Sequence, residues 1–156
     1  MVSRYKTAFN VIALWVIALL LGVFVSENTS WYDSLIKPEN ILPEDMSPLC
    51  WALLYTILAM SGLTLAQDKG PKKSRSKTLR LYYLLFISTV IWLPVTFKTQ
   101  NIYFSFSWII LSDAIAITTL TAFIRHNVLA GIFLLPYIVW LIYATIVTHG
   151  ILILNT

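Results

Sequence analysis

Five long apolar stretches occupy most of this chain, and they leave few folds open to it. They run Ala8–Val25, Pro48–Ala66, Leu79–Phe97, Ile102–Phe123 and Leu129–Leu154. Each reaches roughly 18 residues or more, which at ~1.5 Å rise per residue matches a hydrocarbon core of ~30 Å. Only a helix or a closed barrel satisfies its own backbone polar groups inside lipid, and stretches of this length become helices. Mean hydropathy is +0.78 and charged residues make up only 12 % of the chain. The expectation is an all-α integral membrane bundle of five transmembrane helices. With 156 residues and short connections, residues 1–156 form one domain with no space for a second.

The net charge of +4 raises nucleic-acid binding, and the placement of the charges argues against it. Arg4 and Lys6 precede the first stretch, Lys69, Lys72, Lys73, Arg75, Lys77 and Arg80 surround the second connection, and Arg125 lies in the fourth. Nine of the eleven basic residues therefore share one side, with only Lys37 and Lys98 opposite. Such asymmetry orients a membrane protein with its basic side in the cytoplasm. It places the N-terminus inside, suits a bacterial inner membrane, and brings the basic residues near anionic headgroups. The first stretch is too long for a signal-peptide core and no A-x-A site follows it, so it is read as a mature helix.

Pro38 and Pro43 oppose regular helix in the first connection, and Trp31 and Tyr32 suit a membrane interface. So many aromatics in one connection also suit a lid over the mouth of the bundle. The second connection, Gln67–Thr78, is expected to be solvated charge broken by Gly70 and Pro71. Short connections after Phe97 and Phe123 make helices three, four and five antiparallel neighbours. Pro94 and Pro136 permit kinks inside the third and fifth stretches. Ala18 and Gly22 form a small-xxx-small pair that keeps a homodimer open.

Asp113 is the one acid within an apolar stretch. A carboxylate in hydrocarbon costs at least about 2.5 kcal/mol, so it should face the bundle or an aqueous boundary. Trp108, Ser112 and Thr119 are its candidate neighbours, and a proton-linked transport site is one role for it. Metal-ligand spacing is absent around Cys50, His126 and His149. There is no phosphate-binding loop, dinucleotide turn or nucleophile elbow, which disfavours ATP-driven or hydrolytic chemistry.

Three segments carry a resemblance. The first is WYDSLIKP, Trp31–Pro38, followed by Pro43 and Trp51-Ala52-Leu53-Leu54-Tyr55. The second is Leu79–Phe97, with Tyr82, Trp92 and Pro94, and the third is Ala122–Ala144, with Leu154-Asn155 beyond it. In this order and context the chain resembles the TspO/translocator family, the tryptophan-rich sensory proteins or peripheral-type benzodiazepine receptors. The resemblance implies a five-helix bundle whose ligand cavity is closed by the loop between helices one and two. It implies porphyrins, protoporphyrin IX or haem, as ligands, with no cofactor required. It also implies a role in tetrapyrrole transport, sensing or regulation. The alternatives are light-dependent porphyrin breakdown, with Trp51 and Trp140 as redox residues if the protein is an enzyme, or proton-linked secondary transport. The ligand-binding residues it implies are Trp31, Tyr32, Trp51, Tyr55, Thr89, Trp92, Tyr137, Trp140, Ala144 and Thr148.

These positions make physical sense. Trp51 and Tyr55 are four apart, and Tyr137, Trp140 and Ala144 follow the same helical spacing, so each set shares a face. Two indoles on one cavity offer flat apolar surface and one N–H each. The chain also departs from the family: Leu85 and Thr89 replace the usual glutamine and asparagine, Thr148 an asparagine, Leu42 a proline and Asp45 a tryptophan. The polar lining is thinner for it. No Lys or Arg follows Tyr143, so the sterol-recognition pattern is absent.

Overall fold

The computed structural model describes residues 9, 13–14, 16–17, 20–23, 29–39, 41–42, 47–68 and 72–156. Five helices have defined bounds among them: a short α1, Ser30–Asp33, then α2, Ser47–Gln67, α3, Lys72–Thr99, α4, Ile102–His126, and α5, Val128–Leu154. The last four are long and apolar enough to cross a membrane. In the first stretch every described residue from Phe9 to Val23 is helical and Leu14 joins the core. The bounds of that helix, and with them the count of five spans, lie outside the described residues, as do Ala18, Pro43 and Gly70–Pro71.

Packing runs α2 on α5, α5 on α4 and α4 on α3, with α3 closing back onto α2. Leu58, Leu65, Leu85, Phe123, Leu134 and Tyr137 are fully buried between the helices. Leu53, Leu84, Leu111, Ile117, Val139 and Ile146 point outward. Outward apolar residues would be anomalous in water, but in lipid they match the solvent.

The expected antiparallel neighbours are present, and the turns show why. Asn127 alone separates α4 from α5: its Oδ1 accepts the Ala130 N–H at 3.0 Å and its own N–H reaches Phe123 O at 2.7 Å. Gly131 then lets the helices converge, since a Cβ there would lie 2.7 Å from Ile124 Cγ1. Gln100 and Asn101 join α3 to α4, with Asn101 Oδ1 accepting from Phe104 N at 3.0 Å. Gln100 sits at φ 50°, a left-handed helix-ending conformation that glycine adopts without a Cβ penalty. Gln100→Gly is therefore expected to stabilise the protein by about 0.5–1 kcal/mol, read as a raised Tm in detergent.

Hydroxyls zip α3 to α4. Ser88 and Ser112 hydroxyls meet at 2.7 Å, Trp108 Nε1 donates to Ser88 O at 2.9 Å, and Thr96 donates to Ser105 Oγ at 2.9 Å. Small hydroxyl residues let membrane helices approach and satisfy each other without charge.

One expectation is corrected. Helix α3 begins at Lys72, not Leu79, so the basic run is largely its first two turns. Lys, Arg and Ser tolerate helix well, and the Arg75 guanidinium donates back to the carbonyl of Asp68 just beyond α2. At the same end Asn127 Nδ2 donates to Asp68 Oδ2 at 2.7 Å, and His126 Nε2 lies 3.4 Å from Asp68 Oδ1. Asp68 thus ties α2, α3 and the α4–α5 corner together.

Candidate functional site

The opposite end of the bundle gathers aromatic side chains. The Trp51 and Tyr55 rings of α2 stack at 5.7 Å, and Trp51 meets Trp140 of α5 at 5.7 Å. Tyr55 also touches Tyr137 at 6.2 Å and Phe86 of α3 at 6.1 Å. The helical spacing that put Trp51 with Tyr55 and Tyr137 with Trp140 holds, and the α2–α5 contact turns the two faces into one cluster. The indoles are not parallel walls, however. They cross at 84°, the edge of one against the face of the other, which is the arrangement their quadrupoles favour.

Polar groups in the cluster are few and unevenly served. Tyr137, fully buried, donates its O–H to Thr89 Oγ1 at 2.7 Å, and Thr89 donates to Leu85 O and Phe86 O at 3.1 Å each. Leu85 beside it is fully buried and adds no polar atom. Tyr55 O–H and Trp140 Nε1 are buried with no hydrogen-bond partner among the described residues. A buried polar group without a partner costs about 1–3 kcal/mol, and a hydrogen-bond acceptor beside these two groups would remove that cost.

The remaining expected residues lie around this centre or apart from it. Tyr32 and Trp31 pack on Phe97 of α3 at 5.9 and 6.4 Å. The connection they belong to is fixed to α5. Ile36 and Asn155 exchange two hydrogen bonds, at 3.0 and 2.8 Å, and Leu42 N–H donates to the Tyr143 hydroxyl oxygen at 2.8 Å. Pro38 fills the notch left by Gly150, where a Cβ would come within 2.6 Å of its ring. Thr148 is buried and returns its hydroxyl to Ala144 O at 2.8 Å, one turn beyond Trp140. Trp92 turns toward α4, giving Nε1 to Ser105 at 3.1 Å.

Asp113 takes a hydrogen bond from Thr145 of α5 at 2.7 Å. Trp108, Ser112 and Thr119, its expected neighbours, direct polar atoms to α3 instead. His149 is exposed and stacks on Phe106 at 5.1 Å, outside the aromatic cluster. Sequence reasoning missed Phe86, Phe97, Asn155 and the contact role of Tyr143. Phe86, Phe97 and Asn155 stood in the segments that carry the resemblance with no role given to them, and Tyr143 lies three residues after Trp140 on the same helix face; its ring packs on that indole at 5.2 Å.

Comparison with known proteins agrees with this architecture. The model of the TspO/MBR family matches residues 9–154. The chain is similar to the tryptophan-rich sensory protein of Cereibacter sphaeroides, 27 % identical over 115 residues that cover 74 % of this chain and 70 % of that protein. It is 22 % identical to protein CrtK of Rhodobacter capsulatus over 126 residues, 81 % and 79 % of the two chains. It is 25 % identical to the tryptophan-rich protein TspO of Archaeoglobus fulgidus over 151 residues, 96 % and 97 % of the two chains. With its apolar helices built as a multi-pass membrane bundle and a family match that spans nearly its whole length, the chain belongs to the TspO/MBR family.

Proposed function

We propose that this protein is a membrane receptor or carrier. It holds a flat, largely apolar ligand of the porphyrin class, protoporphyrin IX or haem, against Trp51, Tyr55, Tyr137 and Trp140. The connection from Trp31 to Leu42 acts as its lid. The observation that carries this reading is the pair of buried, unpartnered groups, Tyr55 O–H and Trp140 Nε1–H, inside one aromatic cluster. A flat macrocycle gives the rings a face to stack on, and acceptors on the ligand satisfy the two groups. The relative named a tryptophan-rich sensory protein favours a sensing role, and with a porphyrin as ligand that role would lie in tetrapyrrole transport, sensing or regulation. The charge asymmetry favours a bacterial inner membrane with the N-terminus inside, and Gly22, whose surroundings are open, leaves a face for a homodimer.

The test is a titration of protoporphyrin IX into the full chain in lipid nanodiscs, followed by tryptophan fluorescence. Saturable quenching is expected, with Kd raised at least about tenfold in Trp51→Phe/Trp140→Phe, equivalent to ~1.4 kcal/mol. No saturation, or an unchanged Kd in the double variant, removes the proposal. A second reading, light-dependent breakdown of the bound porphyrin, draws on the direct Trp51–Trp140 contact as a redox relay. It fails where illumination bleaches the Soret band no faster than for free porphyrin.

A further inference from the structure

Among the described residues, the connection between the first stretch and α2 meets the bundle in four places, and they differ in kind. Three of them run to residues outside the aromatic cluster. Asn155 holds Ile36 by a reciprocal pair of hydrogen bonds, Pro38 sits in the Gly150 notch, and Trp31 and Tyr32 rest on Phe97. The fourth is the Leu42 N–H donating to the Tyr143 hydroxyl at 2.8 Å. The Tyr143 ring also packs on the cluster, at 5.2 Å from Trp140.

Trp140 in turn is the cluster member with most reason to move. Its indole crosses Trp51 at 84°, so a planar ligand cannot lie flat on both rings unless one of them turns. Its Nε1 is buried without a partner among the described residues, so the present orientation is not held by a hydrogen bond, and an acceptor on a ligand would draw it. Close packing transmits such a shift to whatever rests on the ring. From these contacts we infer that Tyr143 couples occupancy of the aromatic cluster to the attachment of the connection. A ligand that turns Trp140 displaces the Tyr143 ring and breaks its bond to Leu42. The attachments of Ile36 to Asn155 and of Pro38 to Gly150 do not run through Tyr143 and stay closed. The inference rests on the ligand reading above and adds to it a route by which binding becomes a change at the membrane surface.

Residue-resolved hydrogen exchange on the full chain in nanodiscs tests it, with protoporphyrin IX as the probe and tryptophan quenching recorded on the same samples. Saturating probe is expected to speed exchange of the Leu42 amide by about five- to tenfold, the loss of one ordinary hydrogen bond, while the Ile36 amide is unchanged. Tyr143→Phe keeps the ring on Trp140 and removes the acceptor. In that variant Leu42 exchanges fast without probe, the probe adds nothing, and Ile36 keeps its wild-type rate as the internal measure of an intact fold. Saturable quenching with Leu42 exchange unmoved overturns the coupling and leaves the ligand site standing. A Leu42 amide as slow in Tyr143→Phe as in wild type overturns it as well. Absence of saturable quenching removes the ligand site itself, and the coupling falls with it.

Discussion

Tyr137→Ala is expected to cost about 3–5 kcal/mol, the range for deleting a buried aromatic ring and leaving part of its volume empty. Tyr137 is fully buried, lies against Tyr55, and spends its hydroxyl on Thr89 of α3. Its removal strips a contact between α5 and each of α2 and α3 at the floor of the aromatic cluster. Tyr137→Phe separates the two contributions. It keeps the ring and loses only the interhelical bond, worth about 1 kcal/mol in a membrane bundle. Steric-trap or denaturant unfolding in bicelles reads both. Equal losses for the two variants would mean that the hydroxyl, not the ring, holds this site together, contrary to the packing.

Gly62→Ala carries the second large effect. A Cβ at Gly62 would lie 2.6 Å from Tyr82 Cζ, 2.9 Å from its hydroxyl and 3.0 Å from Cε1. Tyr82 is 3 % exposed and packs on Phe123 at 6.1 Å, so the ring has little free space to enter. Overpacking of this sort costs about 1–3 kcal/mol. The cost should be largely recovered in Gly62→Ala/Tyr82→Leu, which removes the end of the ring that the methyl meets, giving a coupling energy of opposite sign to the single losses. Losses that simply add in the double variant would show that α2 and α3 do not meet through this pair.

Much of this architecture was legible in the residues. Apolar length alone gave the membrane class, because a backbone in lipid has no water to satisfy it. The α4 and α5 bounds fell within three residues of the expected stretches, since the Asn101 and Asn127 caps stand next to the apolar runs. The start of α3 was misplaced by about two turns, for a reason that hydropathy cannot see. A basic helix turn in water is as regular as an apolar one in lipid, and Arg75 adds a bond to the carbonyl of Asp68, just beyond α2. Helical spacing likewise put Trp51 with Tyr55 and Tyr137 with Trp140, and the resemblance to the TspO/translocator family pointed to the same residues.

What spacing did not contain is how faces on different helices meet. That the indoles cross at 84° instead of facing each other follows from the α2–α5 contact. That Trp92 serves the α3–α4 seam and Asp113 pairs with Thr145 follows from which helix lies next to which. The anchoring of Ile36 by Asn155 joins residues 119 apart. Local periodicity is a property of one helix and its solvent, so a sequence states it directly. Partnership across helices depends on rotation and offset of packed surfaces, which many residues set together, and only the folded bundle decided it.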